Sequence, residues 1–261
     1  MRHFVKDRQP FRAKELNWLL LEGQTIDDGI RKNGAWEPLS TAVVEAEVRE
    51  GFTVLDIGAN IGWYTALMSK LVGPNGRVIA FEAMEDACIV TASHIELNNC
   101  TNAELLQNTA LGDVNKNAEA FFNYSWGRGE FEVTQRKNMV HFRKLDTIAA
   151  SLNLTRLDFV KIDVDGWELK IMQGAEKTFR RYLPTILLEV CDYALHRPLG
   201  RIPEDYIRGT QAAALLDFTQ SLGYALLREK DRSEVTSIPQ LLSEFNLVSS
   251  SINVLCVPRK R

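Results

Sequence analysis

An α/β fold with a doubly wound, mostly parallel sheet is predicted by three features of the chain. Short runs rich in Val, Ile and Leu recur along it, they are nearly continuous in hydrophobicity, and helical patterns separate them. TVLDIGA (53–59), RVIAFEA (77–83), AELLQNTA (103–110), DFVKIDV (158–164) and TILLEV (185–190) predict strands covered on both faces. WYTALMSKLV (63–72), stopped by Gly73–Pro74, predicts the first connecting helix, and EDACIVTASHIELNN (85–99) the second. WELKIMQGAEKTFRRY (167–182) predicts a third, with Leu169, Met172, Ala175 and Phe179 at helical spacing. Such βαβ repetition implies parallel pairing.

Three regions depart from the rhythm. Residues 1–50 predict an N-terminal helical cap. Residues 111–144 predict a small β insertion made of AEAFFNY, EFEVTQ and MVHFRK, after which LDTIAASLN (145–153) returns as a helix. YALLRE (224–229) and SINVLCV (251–257) predict a last pair with an antiparallel edge strand. No linker or repeat interrupts residues 51–261, which are expected to form one structural unit with the cap.

The bulk properties narrow the classes of function. The 261 residues suffice for a substantial core, and 45% hydrophobic with 25% charged residues is ordinary for a globular protein. No apolar run approaches the roughly 20 residues of a membrane span, and MRHFVKDRQPF has no apolar signal core. A net charge of −3 carries no footprint for nucleic acid. The four cysteines, Cys88, Cys100, Cys191 and Cys256, form no CxxC pair or zinc spacing. Cys88, Cys191 and Cys256 lie among apolar residues, so buried thiols in a reducing, cytoplasmic compartment are expected. Self-association into a homo-oligomer is left open.

The densest signal is VLDIGANIGWYT (54–65): a strand ending in Asp56, then Gly58, Asn60 and Gly62, then a helix. Such a loop brings backbone and a helix N-terminus close to a ligand. A dinucleotide would call for G-x-G-x-x-G, but Asn60 and Trp63 stand at the second and third glycine positions. S-adenosylmethionine fits better, because Asp56 can meet its ammonium group and Glu82, at the next strand end, its ribose hydroxyls. The plainer alternatives are that Asp56 caps a turn and that Glu82 is a solvated strand end.

GAWEP (34–38), VLDIGANIGWYTALMSKLVGPNGRVIAFEA (54–83), NTALGD (108–113), RKLDTI (143–148) and FVKIDVDGWELKIMQGAE (159–176) together resemble the FkbM-type family of class I S-adenosylmethionine-dependent methyltransferases. The resemblance runs from about Gly34 to Val190, and KIDVDGWE is its most specific part. Asp165 stands where the family commonly has Glu, and residues 191–261 and the first 30 match no motif. The resemblance implies a Rossmann-like fold and methyl transfer, usually to an oxygen of a sugar or natural product. It also implies that Asp56, Gly58 and Asn60 hold the methionine part and Glu82 the ribose. Asn108 and Ala110 would then flank the adenine, Asp163 would lie beside the sulfonium, and Glu37 would close over the cofactor.

Transfer to a hydroxyl needs alignment and a proton acceptor. Asp163, Asp165, Glu168, Glu189 and His196 are the candidate bases, with Asp163 and His196 assigned as catalytic. Asp165 is equally read as a cap for the helix at Trp167, and Lys161 either pairs with an acid or is a solvated charge. Trp36, Trp126 and Glu189 are the candidate acceptor contacts. Asp163, Asp165 and Glu189 would suit Mg²⁺ chemically, but the spacing does not call for it and no metal is assigned. A nicotinamide-dependent oxidoreductase stays open, since Glu82 lies 20 residues past Gly62. So does a methyltransferase-like binding module without catalysis.

Overall fold

The structure is a computed structural model that describes residues 7–123, 135–191, 210–244 and 251–259. The chain forms two compact units: residues 1–110 with 117–141, and residues 111–116 with 142–261.

In the first unit, strands β1 (Gln9–Ala13) and β2 (Leu16–Leu20) form an antiparallel hairpin, Gln9 opposite Leu20 and Ala13 opposite Leu16. The N-terminal segment is therefore not wholly helical. Leu16, Trp18 and Leu20 are buried in alternation, the period of a strand. Lys14 and Glu15 turn the hairpin with φ of +54° and +62°, a left-handed pair normally supplied by Asn-Gly. Lys14 pairs with Glu45 at 2.9 Å and Glu15 with Lys70, and these contacts hold the turn. Helices α1 (Thr25–Asn33) and α2 (Pro38–Glu47) follow.

The parallel strands β3 (Thr53–Ile57), β4 (Arg77–Phe81) and β5 (Ala103–Leu106) come next, with Asp56 opposite Ala80 and Phe81 opposite Leu106. Val54, Leu55, Val78, Ile79, Ala80 and Phe81 are buried, as expected of strands covered on both faces. Helix α3 (Trp63–Val72) has the predicted limits, because left-handed Gly62 begins it and Gly73 ends it. Helix α4 (Glu85–Leu97) follows β4. AELLQNTA divides into β5 and a separate β6 (Thr109–Leu111), which joins β7 (Lys116–Asn123) and β8 (Gln135–Arg143) in a three-stranded sheet of order β6-β8-β7. The predicted EFEVTQ strand lies outside the described residues except for Gln135.

In the second unit, helix α5 (Leu145–Ile148) leads to β9 (Phe159–Ile162), which pairs in parallel with β10 (Thr185–Val190). The predicted helix over 167–182 divides into α6 (Glu168–Gly174) and α7 (Glu176–Tyr182). Two tertiary contacts account for the break. A Cβ on Gly174 would lie 1.8 Å from the Gly112 carbonyl oxygen, so α6 ends pressed against backbone. The Asp146 carboxylate then starts α7 by accepting the N–H groups of Lys177 and Thr178 at 3.0 and 2.8 Å. Helix α8 (Thr210–Ser221) precedes β11 (Tyr224–Arg228), and α9 (Ile238–Ser243) precedes β12 (Ile252–Pro258). Tyr224–Arg228 pairs antiparallel with β12 as expected. The antiparallel strand β12 stands one place in from the edge, between β10 and β11, with Glu189 of β10 opposite Asn253. The fold class is α/β with mostly parallel strands, as predicted. Among the described residues no helix is long and apolar enough to cross a membrane.

Candidate functional site

The glycine loop of the first unit is built by backbone conformations that its sequence permits. Gly58, Asn60 and Gly62 have φ of +89°, +50° and +82°. The N–H groups of Gly58 and Ala59 both donate to the Phe81 carbonyl at 3.0 Å, which ties the loop to the end of β4. A Cβ on Gly62 would stand 2.9 Å from Thr91 Cγ2, so α4 also presses on the loop.

Two acids meet this loop. Asp56 is 1% exposed and accepts the Thr65 hydroxyl, from the first turn of α3, at 2.5 Å. Glu82 is 5% exposed, which overturns the solvated strand end. Its carboxylate accepts the N–H of Asn60 at 2.7 Å and of Met84 at 2.8 Å. Burial raises the Glu82 pKa, opposed by these backbone donors. The Glu82 carbonyl accepts the Thr109 N–H at 2.9 Å, so Glu82 links the loop to the segment carrying Asn108 and Ala110. Asn108, at φ +51°, donates its N–H to Cys88 Sγ at 3.5 Å, and Ala110 lies half-buried in β6. The carboxamide oxygens of Asn60 and Asn108 are buried without a hydrogen-bond partner. Buried acceptors are nearly always satisfied, so two orphans around one buried acid suit a ligand with N–H or O–H donors.

The cap reaches the same helix. Glu37, at φ +41°, begins α2, and its carboxylate accepts the Tyr64 hydroxyl at 2.9 Å. Trp63, at the fingerprint's third glycine position, stacks on Trp18 with ring centroids 4.5 Å apart and donates to the Thr41 hydroxyl at 3.0 Å. A buried indole thus occupies the place where a dinucleotide fold needs bare backbone. Trp36 is half-buried, its ring laid on Gly29, where a Cβ would meet it at 3.0 Å. Packing accounts for that much of its surface.

His94, to which the sequence assigned no role, joins the hairpin to the glycine loop. Its Nε2 accepts the Leu19 N–H at 2.9 Å and its Nδ1 donates to the Ile61 carbonyl at 2.7 Å. This arrangement needs the neutral ring, and burial pushes its pKa down to about 4. The unfolded chain, with an ordinary value near 6.5, binds the proton first. The stabilisation is therefore complete above about pH 6.5 and lost as pH falls toward 4, a difference of about 3 kcal/mol. Thermal melts should show His94→Gln losing less stability than the native chain between pH 7 and 4.5. Parallel curves would remove His94 from this role.

The second unit holds the KIDVDGWE residues. Lys161 is 2% exposed and ion-paired with Asp163, which settles the open choice in favour of the pair. Burial acts to raise the Asp163 pKa, but the Lys161 ammonium and a hydrogen bond from Glu189 outweigh it, and the net shift is downward. Asp165 is exposed at φ +56°, and the residue flanking α6 is Trp167. Glu168 accepts the N–H groups of Val164 at 3.0 Å and Gly166 at 3.1 Å. Burial raises the Glu168 pKa to about 7. Glu189 is 5% exposed and accepts the Asp165 N–H at 3.2 Å. Trp126 and His196 lie outside the described residues. Thr65, Thr91 and Tyr64 had no sequence signal, since their partners are distant in the chain.

The parallel strands separated by helices and the acid-bearing glycine loop fit one class: the Rossmann-like fold of class I methyltransferases. Residues 56–226 match the methyltransferase FkbM domain, and the chain belongs to that family, whose cofactor is S-adenosylmethionine. Among similar proteins, a protein-L-isoaspartate O-methyltransferase of Methanothrix thermoacetophila is 31% identical over 26% of this chain. Methyltransferase 1 of Beauveria bassiana is 24% identical over 53% of it. The chain spans 30% and 64% of these two relatives' lengths. The structure of a candidate rRNA methylase from Clostridium thermocellum is similar in fold, with a TM-score of 0.51 and 15% identity over 86% of this chain and 96% of that one.

Proposed function

We propose that the chain is an S-adenosylmethionine-dependent O-methyltransferase acting on a hydroxyl of a sugar, glycan or natural-product acceptor. The observation that carries the cofactor assignment is the pair of buried, unpartnered carboxamide oxygens of Asn60 and Asn108, on the two segments whose backbone bonds to buried Glu82. Asp56 receives the ammonium group of the methionine part, with Gly58 and Asn60 offering backbone. A carboxylate has about four acceptor sites; Glu82 meets the backbone N–H groups of Met84, Asn60 and Ala83 and keeps capacity for a ribose hydroxyl. Asn108, whose Oδ1 is buried without a partner, and Ala110 would flank the adenine, and Glu37 would contribute from the cap. When bound, the cofactor supplies an activated methyl group on a sulfonium whose leaving thioether is neutral.

The chain's remaining task is to orient a hydroxyl and accept its proton. Asp163, kept ionised by Lys161, is the group assigned to that proton. His196 and Trp126 remain candidates for the acceptor side, as does Trp36. A net charge of −3 offers no excess of cations for a polyanionic acceptor, which favours the small hydroxyl substrate. The four free, buried thiols support a reducing, cytoplasmic setting.

Titration calorimetry with S-adenosylhomocysteine tests this. The folded chain should bind it, and Asp56→Asn should weaken binding about 10–100-fold, the scale of a hydrogen bond to a charged group. NADH should give no heat. No binding of S-adenosylhomocysteine by folded protein, or binding of NADH in its place, would sink the assignment.

A further inference from the structure

Three side chains of α4 reach out of their helix to the backbone of the segments assigned to the cofactor. Cys88, Thr91 and His94 are all buried, and their spacing of three makes them successive neighbours along one side of the helix. Cys88 Sγ donates to the Glu82 carbonyl at 3.4 Å and accepts the Asn108 N–H at 3.5 Å. Thr91 Oγ1 donates to the Asn60 carbonyl, and His94 Nδ1 to the Ile61 carbonyl at 2.7 Å. Thr91 is the informative member of the row. A hydroxyl in mid-helix commonly turns back to the carbonyl four residues earlier, as Ser93 does to Ile89 at 2.8 Å. Thr91 instead bonds the glycine loop, 31 residues away in the chain. Its Cγ2 also lies 2.9 Å from where a Cβ on Gly62 would stand. One side chain thus meets two left-handed residues of the loop, Asn60 through oxygen and Gly62 through carbon.

Asn60 needs such support. Its φ of +50° lies in the left-handed region, which is strained for any residue but glycine. Asn enters that region most readily when its side chain bonds the local backbone, but the Asn60 Oδ1 is buried without a partner. The conformation is held from outside instead. The Asn60 N–H goes to the Glu82 carboxylate at 2.7 Å, and its carbonyl accepts the Thr91 hydroxyl. We propose, resting on the assignment of Asn60 and Glu82 to the cofactor, that Thr91 is a positioning residue for cofactor binding. Its hydroxyl fixes the Asn60 peptide, so that the N–H meets Glu82 and the carboxamide oxygen stays open for a donor of the cofactor. Thr91 acts through Asn60 and makes no contact of its own with the ligand. Packing alone does not account for the residue, because valine would fill the same space on a buried helix face without burying a hydroxyl.

Amide hydrogen exchange on the full chain tests this without cofactor. In Thr91→Val the Asn60 N–H should exchange about 10-fold faster, the scale of one lost buried hydrogen bond. The Ala66 N–H, which donates to the Gly62 carbonyl at 3.0 Å in the first turn of α3, should keep its native rate. Thr91→Ser keeps the hydroxyl and should leave Asn60 at its native rate. An unchanged Asn60 in Thr91→Val, or equal acceleration at Asn60 and Ala66, would overturn the proposal. If the valine variant does not fold, Thr91→Ser decides, since faster exchange at Asn60 with the hydroxyl retained would overturn it. Calorimetry with S-adenosylhomocysteine on the same samples reads the consequence for binding. Affinity should fall about 3–10-fold in Thr91→Val and stay native in Thr91→Ser. Native affinity in Thr91→Val would make the bond a fold contact only and overturn the positioning role. A native chain that binds no S-adenosylhomocysteine would remove the cofactor assignment, and with it the positioning role, whereas the exchange rates report on the Thr91–Asn60 bond by themselves.

Discussion

Asp163→Asn is expected to lower the methyl-transfer rate by about 10²–10⁴-fold, the usual scale for a lost general base, once an acceptor is found by S-adenosylhomocysteine release from a panel of sugars and natural-product alcohols. The amide keeps the shape but cannot take a proton. Lys161 complicates the result, because the same change takes the paired carboxylate charge away from a buried ammonium. Breaking a buried pair from one side costs about 3–5 kcal/mol, discounted here because the Asp163 side chain is 25% exposed. The melting temperature should therefore fall in the single variant. Adding Lys161→Met removes the stranded charge and should restore much of the stability without restoring turnover. If the double variant recovers both, Asp163 matters for folding alone. If the single variant turns over normally, Asp163 leaves the catalytic assignment.

Gly174→Ala should be among the most destabilising single substitutions available in the second unit. The added methyl would lie 1.8 Å from the Gly112 carbonyl oxygen and 2.7 Å from its carbon, both backbone atoms that no rotamer can relieve. Either α6 or the 112–113 turn must shift. Overpacking of this kind costs about 1–3 kcal/mol and more where backbone is the obstacle, so roughly 3 kcal/mol or above is expected. For a chain of this size that is a fall of roughly 6–12 °C, readable by calorimetric or fluorescence melts. A change under about 2 °C would mean that the close approach is easily relaxed. The glycine lies in the KIDVDGWELKIMQGAE run, so the contact gives that position a physical reason.

The sequence was most informative where local chemistry decides local structure. The limits of α3 followed from Gly62 and Gly73, whose left-handed backbone starts and stops it. Strands β3, β4, β9 and β10 followed from apolar runs with no polar face. Asp56 and Glu82 were visible because an acid ending such a run is out of character with it. The N-terminal hairpin was missed because its turn is Lys14-Glu15 rather than Asn-Gly, and ion pairs to Glu45 and Lys70 hold it. The break between α6 and α7 was missed because Gly112, more than 60 residues earlier, causes it. The alternation Leu16, Trp18, Leu20 was a usable strand signal that the expected helical cap obscured.

By itself the sequence determined the alternating α/β architecture, the glycine loop with its two acids, and the family, since periodicity and backbone permissiveness are written in neighbouring residues. Only the tertiary structure decided how the acids behave. Lys161, readable as a solvated charge, is buried against Asp163, and Glu189, read as an acceptor contact, is buried and accepts the Asp165 N–H. Glu168, read from the sequence as a candidate base, accepts two backbone N–H groups at the start of α6. The physical reason is that desolvation and charge–charge coupling depend on which strands and turns are brought within a few ångströms, and no spacing along the chain records that distance.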